Sequence, residues 1–260
     1  SNDLLSKRPR LGIYSALANY LMGEINNVEP KLIALEQALE RARQNQVPIK
    51  DEDLVRWEIR ALRAVVQCFS EDVEQGITNI IELRKSQPSQ DIYFYGLMTH
   101  CLAEAYSWNS HLETAAKEYE KGCQFAIVNG LQIEYAYSQS ELAHLRKMQG
   151  YLKKSEQEYQ HLLDYSVQAN MDVQLYAFAK TGLAEVALER NDFMTAREWI
   201  RDVLDQHEWI EYAARLWLRP EWLQIRLARY YLALPDTTRD DTPFDSASKG
   251  FRENRYWVPF

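Results

Sequence analysis

A chain of 260 residues that is 46% apolar and 12% aromatic can bury a sizeable core and lies outside the composition of disordered proteins. A formal charge of −8 and an isoelectric point near 5.3 argue against a broad grip on nucleic acid or on an anionic membrane by this segment. Length gives no domain count, because in a repeat array each unit packs only on its neighbours.

Residues 1–10 are polar, lack the apolar centre of a signal peptide and read as an N-terminal extension or tag remnant. The first helix is expected over 11–22, with Leu11, Tyr14, Leu17, Ala18 and Leu21 at helical spacing and Gly23 as its stop. Asn26 and Asn27 can cap a second helix, in which Pro30 falls in the first turn and Leu32, Leu35, Ala38, Leu39 and Ala42 form the buried stripe. Pro48 marks a linker, and Asp51, Glu52 and Asp53 place carboxylates where a helix N-terminus favours them. The second pair carries Leu54, Trp57, Ala61, Leu62, Ala64, Val65 and Cys68 on one helix and Val73, Gly76, Ile77, Ile80, Ile81 and Leu83 on the other, ending at Pro88. A third pair is expected over 92–108 and 112–128, a fourth over 133–148 and 152–169, and a fifth over 173–190 and 193–204. Their turns are Asn109-Ser110, Gln149-Gly150 and Arg190-Asn191-Asp192, with Asn129-Gly130 as a helix stop. Pro220 opens the first helix of a sixth pair, over 221–234. Residues 235–260 combine an acidic loop with an aromatic tail, Tyr256 to Phe260, too apolar to be left in water without a partner.

No strand alternation persists, so the chain reads as all-α, and no apolar run approaches the roughly 18 residues of a membrane span. Cys68, Cys101 and Cys123 have no C-x-x-C spacing and are odd in number, which predicts buried, reduced thiols and a cytoplasmic protein.

The pairs repeat one pattern at a spacing near 40. Leu183-Ala184 followed by Ala196 returns as Leu142-Ala143 with Gly150, Ser155, Tyr159 and Leu162, and as Leu102-Ala103 with Ala115, Tyr119 and Gly122. A spacing near 40 also fits HEAT or armadillo repeats. Leu102, Ala103, Tyr106, Ala115, Tyr119 and Gly122 in order resemble the tetratricopeptide pattern of Leu, small, aromatic, then Ala, aromatic, small. Arg146 and Ala187 stand where later copies would carry the first aromatic, which fits a longer-helixed variant. The resemblance implies a right-handed superhelical solenoid of about six helical pairs over 11–234.

The runs from Ile59 to Ala64 followed by Glu71-Asp72-Val73 and Gly76, and from Gly182 to Glu185 followed by Arg190-Asn191-Asp192-Phe193 and Ala196, resemble the sensor region of MalT-like, LuxR-type ATP-dependent transcription regulators. Arg219-Pro220-Glu221 with Leu227-Ala228 resembles a later segment of that family. The resemblance implies a nucleotide-binding module and a helix-turn-helix elsewhere in the full protein. Within these residues there is no G-x-x-x-x-G-K-[ST] run and no basic recognition helix.

In such an array the first helix of each pair lines the concave face, where ligands or peptides bind. Aligned on the Leu-Ala pair, the groove-facing residues are expected to be His100, Glu104 and Trp108, then Tyr137, His144 and Met148, then Phe178, Glu185 and Glu189, then Trp222 and Arg229. Aromatics among carboxylates and imidazoles can stack on and hydrogen-bond a small polar effector such as a sugar. Packing between repeats is the alternative account of Tyr137, Phe178 and Trp222, and a solvated helix face explains Glu185 and Glu189 more cheaply than a carboxylate pair for acid-base work.

No catalytic residue, metal site or cofactor is expected. The five histidines form no H-E-x-x-H, and the aspartates at 236, 240, 241 and 245 are too irregular for a calcium loop. Tetratricopeptide domains that clamp a C-terminal carboxylate do so with Lys, Arg and Asn, whereas the equivalent positions here are mostly acidic or aromatic. The expected function is therefore effector or protein binding in the groove, as the sensing region of a regulator, with self-association left open. The alternative is a stand-alone scaffolding adaptor, which would lack an upstream nucleotide-binding module.

Overall fold

The computed structural model describes residues 8–70, 72–86, 92–168 and 173–204. Within them the chain is all-helical, with ten α-helices, one 3-10 turn and no strand. The helices are α1 (Arg10–Leu21), α2 (Val28–Gln44), α3 (Glu52–Gln67), α4 (Val73–Lys85) and α5 (Ile92–Trp108), then α6 (Leu112–Asn129), α7 (Gln132–Met148), α8 (Leu152–Gln168), α9 (Val173–Glu189) and α10 (Phe193–Leu204). The expected sixth pair, the acidic loop and the aromatic tail lie outside the described residues. Two compact units divide the helices, α1 to α5 in one and α6 to α10 in the other.

Turn chemistry sets most of the boundaries. Gly23, Gly130 and Gly150 adopt φ of 76°, 68° and 81°, a left-handed conformation that ends α1, α6 and α7 at little steric cost. Asn191 does the same after α9 at φ 58°, and the Asp192 carboxylate then accepts the Thr195 N–H at 3.1 Å to cap α10. The Thr195 hydrogen bonds hold that carboxyl below its ordinary range. At α2 the expected asparagine cap is not made. The 3-10 turn Ile25–Asn27 runs straight into the helix, Asn27 already has helical dihedrals, and its amide donates to Glu24 at 3.1 Å instead.

In the first unit α1 packs on α2 and α3, α3 on α4 and α5, and α4 on α5. Ile13, Leu32, Leu35, Leu39, Ile59, Leu62, Ile80 and Phe94 form one continuous core, as the helical spacing of these residues predicts. Trp57 is buried with them and satisfies its indole N–H on the Leu83 carbonyl at 3.3 Å, tying α3 to the end of α4. Gly76 lets α4 approach the end of α3 closely, since a Cβ there would lie 2.6 Å from the Cys68 backbone nitrogen.

In the second unit neighbours in sequence pack on one another from α6 through α10, and α7 also packs on α9. Tyr159, with no exposure, Leu162, Phe178, Leu183 and Val186 build one core cluster. Ala177, Ala184, Ala187 and Ala196 with Ile200 and Val203 build a second, where the small side chains let α9 and α10 approach. Ala184 and Ala196, the small residues of the repeated pattern, are thus packing contacts between the two helices.

A recurring polar clasp fastens α2 to α3, α6 to α7 and α8 to α9. Arg63 of α3 takes both Glu29 and Glu36 of α2 in forked hydrogen bonds of 2.7 to 3.1 Å. Arg146 of α7 reaches Glu120 of α6 at 2.7 Å, Gln149 reaches Glu113 at 2.9 Å, and Arg190 at the end of α9 reaches Glu156 of α8 at 2.8 Å. Arg63 lowers the Glu36 carboxyl through its hydrogen bond, and the two glutamates in turn raise the guanidinium. Because these pairs are partly in water, Arg63→Ala should cost only about 1 kcal/mol, measured by urea unfolding. A loss above about 3 kcal/mol would mean the clasp is worth more than its exposure permits.

Candidate functional site

The residues expected to face a groove separate by unit. On α5, His100 and Glu104 lie one turn apart, with imidazole Nε2 3.8 Å from the carboxylate, and Glu104 is buried. Trp108 is 41% exposed and meets Phe69 edge-to-face at 5.1 Å between ring centres. This arrangement leaves an aromatic surface and a carboxylate–imidazole pair on one helix.

On α7 and α9 the picture differs from a solvated groove. Tyr137 and His144 are half-buried, Met148 is exposed, and Phe178 is 6% exposed within the core cluster. Glu185 does not share a solvated face with Glu189. Glu189 is exposed, but Glu185 is buried and ion-paired with the Lys147 ammonium, with the two side chains only 4% and 5% exposed. The reason is the packing of α7 on α9, which carries both charges out of water together. A buried charge persists only with such a partner. Trp222 and Arg229 lie outside the described residues.

Lys147 is the residue that sequence reading passed over. It stands three positions after His144, on the same face of α7, and a lysine near a helix C-terminus ordinarily marks a solvated end. The first unit holds a counterpart, in which Arg10 of α1 donates to Glu58 of α3 at 2.6 Å and the Glu58 side chain is fully buried. In both units, then, a charged pair spans consecutive odd helices.

A second buried polar group joins α6, α7 and α8. Gln139 donates to the Glu158 side chain and to its carbonyl at 3.3 Å, and its own oxygen accepts from the Cys123 thiol at 3.5 Å. Tyr135 is packed against Tyr165 beside it, at 4.4 Å between ring centres. Burial pushes the Cys123 thiol and the Tyr135 hydroxyl up to about 12, and burial likewise pushes the Cys68 thiol up to about 12.

These thiols are not poised as nucleophiles, since the thiolate is the reactive form. In the native state Cys68 and Cys123 should resist iodoacetamide at pH 8 and react only after denaturant is added. Rapid native labelling of either would contradict the burial. Their raised values also fix a sign. The unfolded thiol loses its proton near 9.0 and the folded one near 12, so their contribution to stability is full below pH 9 and is lost as pH rises from there toward 12.

A shallow cleft of about 430 Å³ opens between α8, α9 and α10, lined by Leu163, Val167, Tyr176, Lys180 and Trp199 among others. None of the expected groove residues among the described ones lines it. Lys180 stands over the Tyr176 ring at 4.4 Å, a cation–π contact that occupies the ammonium from one side.

Among the described residues no group of three or more His, Cys, Asp or Glu side chains could hold a metal ion, and no helix is long and apolar enough to cross a membrane. No protein-family model matches the chain, and no curated protein matches it significantly.

Proposed function

We propose that the chain is a non-enzymatic binding module, a right-handed tetratricopeptide-type superhelix of period about 40. It takes a small polar effector or a peptide along its odd helices. The observation that carries this reading is the regular return of the odd helices, which begin at Arg10, Glu52, Ile92, Gln132 and Val173, 40 to 42 residues apart. With it goes their packing within each unit, where an odd helix meets its even partner and the next odd helix. Trp108, Tyr137, His144 and Glu189 retain exposed or half-exposed surface on those helices, and they supply the stacking and hydrogen-bonding groups an effector would use.

The family half of the proposal rests on the residue runs that resemble MalT-like regulators. On that reading the module senses a signal, and occupancy biases its conformation or association state, which nucleotide-binding and DNA-binding modules elsewhere in the protein read out.

A thermal-shift screen of sugars and metabolites tests the binding half. An effector at about a hundred times its Kd stabilises the folded state by about 2.7 kcal/mol, a rise in Tm of roughly 5–10 °C. Tyr137→Ala and His144→Ala, both on α7, should each reduce that rise while leaving the unliganded Tm within a few degrees. No shift with any compound, or a shift that both variants retain, sinks the assignment. A native gene that encodes no upstream nucleotide-binding module removes the regulator reading and leaves a scaffolding adaptor.

A further inference from the structure

One face of α7 is open. At about 100° per residue, Glu134, Tyr137, Glu141, His144 and Met148 fall within an arc of about 80°. All five keep exposed or half-exposed surface, while Ser138, Ser140, Leu145 and Lys147 on its two flanks are buried. The two cations of α7 do not neutralise this face, because Arg146 turns to Glu120 of α6 and Lys147 is held by Glu185 of α9. At its centre stands Tyr137, with one carboxylate three positions before it and another four positions after. Tyr137 packs against the core cluster of Tyr159 and Phe178, which anchors its ring between the two glutamates.

An aromatic ring between two carboxylates favours a cation, since the ring quadrupole attracts an ammonium and each carboxylate can accept its hydrogen bonds. Carboxylates alone would be a solvated face, but Ser140 is an independent observation. It lies three positions after Tyr137, on the side of α7 that also carries Lys147, and is 5% exposed. Its hydroxyl makes no hydrogen bond among the described residues. A buried hydroxyl left unpaired destabilises a fold, and a ligand N–H arriving beside Tyr137 supplies the missing partner.

Resting on the binding-module reading above, we propose that the effector held on α7 is a linear dication, an α,ω-diamine. One ammonium meets Glu134, the apolar chain crosses the Tyr137 ring, and the other ammonium meets Glu141 and the Ser140 hydroxyl. The helix sets the length. Seven residues separate the two glutamates by about 10.5 Å along the axis. At ordinary single-bond lengths, an extended diamine of about seven or eight methylenes spans that distance. A monocation or an uncharged sugar makes only part of these contacts. Exposed charge pairs are individually weak, so the dissociation constant is expected at about 1 mM.

Titration of the whole chain with 1,8-diaminooctane, followed by NMR of the backbone amides at low salt, tests this. The expected result is a saturable change centred on residues 134–141 of α7. Binding of 8-aminooctan-1-ol, which keeps the length and loses one charge, should be about three- to fivefold weaker. Glu134→Gln should remove the advantage of the diamine over the amino alcohol. Ser140→Ala should leave the unliganded Tm unchanged or higher, since the hydroxyl has no bond to lose and alanine is the better helix former, and should still weaken diamine binding.

Equal binding of the two compounds overturns the proposal, as does an advantage that Glu134→Gln retains, or a response that maps away from α7. A sugar that perturbs residues 134–141 where the diamine does not overturns the diamine and leaves the binding-module reading standing. No response to any compound, the diamine included, overturns both.

Discussion

Glu185→Ala is expected to lower the unfolding free energy by about 3–5 kcal/mol. The substitution removes a carboxylate from beside the Lys147 ammonium, which lies between α7 and α9 at 5% exposure and loses this ion pair where water does not replace it. Lys147→Met should cost a similar amount by taking the ammonium away from the buried Glu185 carboxylate. Replacing both, as Lys147→Met with Glu185→Leu, should recover most of the loss, since an apolar pair of similar volume packs without a desolvation cost. Urea unfolding followed by circular dichroism measures all three. If the double variant is no better than the singles, the pair is not the unit that matters. If Glu185→Ala costs under about 1 kcal/mol, the two charges are in water and α7 does not pack on α9 as described.

Gly182→Ala should destabilise by about 1–3 kcal/mol, although alanine is the better helix former by about 1 kcal/mol. A Cβ at Gly182 would enter the Tyr159 ring, which is itself fully buried and cannot swing aside. The steric cost exceeds the propensity gain because the ring is held by the core cluster on its other sides. A fall in Tm of several degrees is the expected outcome. Shortening the obstacle with Tyr159→Leu should relieve part of the added cost of Gly182→Ala, so that the two changes are less damaging together than their separate losses predict. A stabilised Gly182→Ala variant would show that α8 and α9 stand further apart than this contact allows.

The helices were legible in the sequence because local chemistry writes them down. Gly23, Gly130, Gly150 and Asn191 stop helices by adopting a conformation few residues tolerate, and the stripe from Leu32 to Ala42 reads directly as a buried face. The positive dihedrals of Gln46 and Ser110 were not legible, since neither residue type advertises the left-handed region. The bonds that close the helix ends, Val47 N–H to the Ala42 carbonyl and His111 N–H to the Tyr106 carbonyl, hold them there.

The site was less legible for a related reason. Lysine and glutamate at helical spacing look alike whether they are solvated or buried together, so Glu185 read as part of an open face with Glu189, and Lys147 and Glu58 drew no notice. Pairing between helices is a property of the fold, and separations of 38 residues for Lys147 with Glu185 and 48 for Arg10 with Glu58 carry no local signature. Phe178 shows the same ambiguity from the apolar side, because an aromatic on an odd helix can line a groove or fill a core, and here it lies in the core cluster.

Effector binding along the odd helices is tested most directly by hydrogen exchange with mass spectrometry, comparing the chain alone with the chain saturated by a compound that raises its Tm. Protection should concentrate in residues 132–148 and 173–189, the odd helices that carry Tyr137, His144 and Glu189, and leave the outer turns of α6 and α8 unchanged. Protection confined to the even helices, or to the cleft beside Trp199, would contradict it.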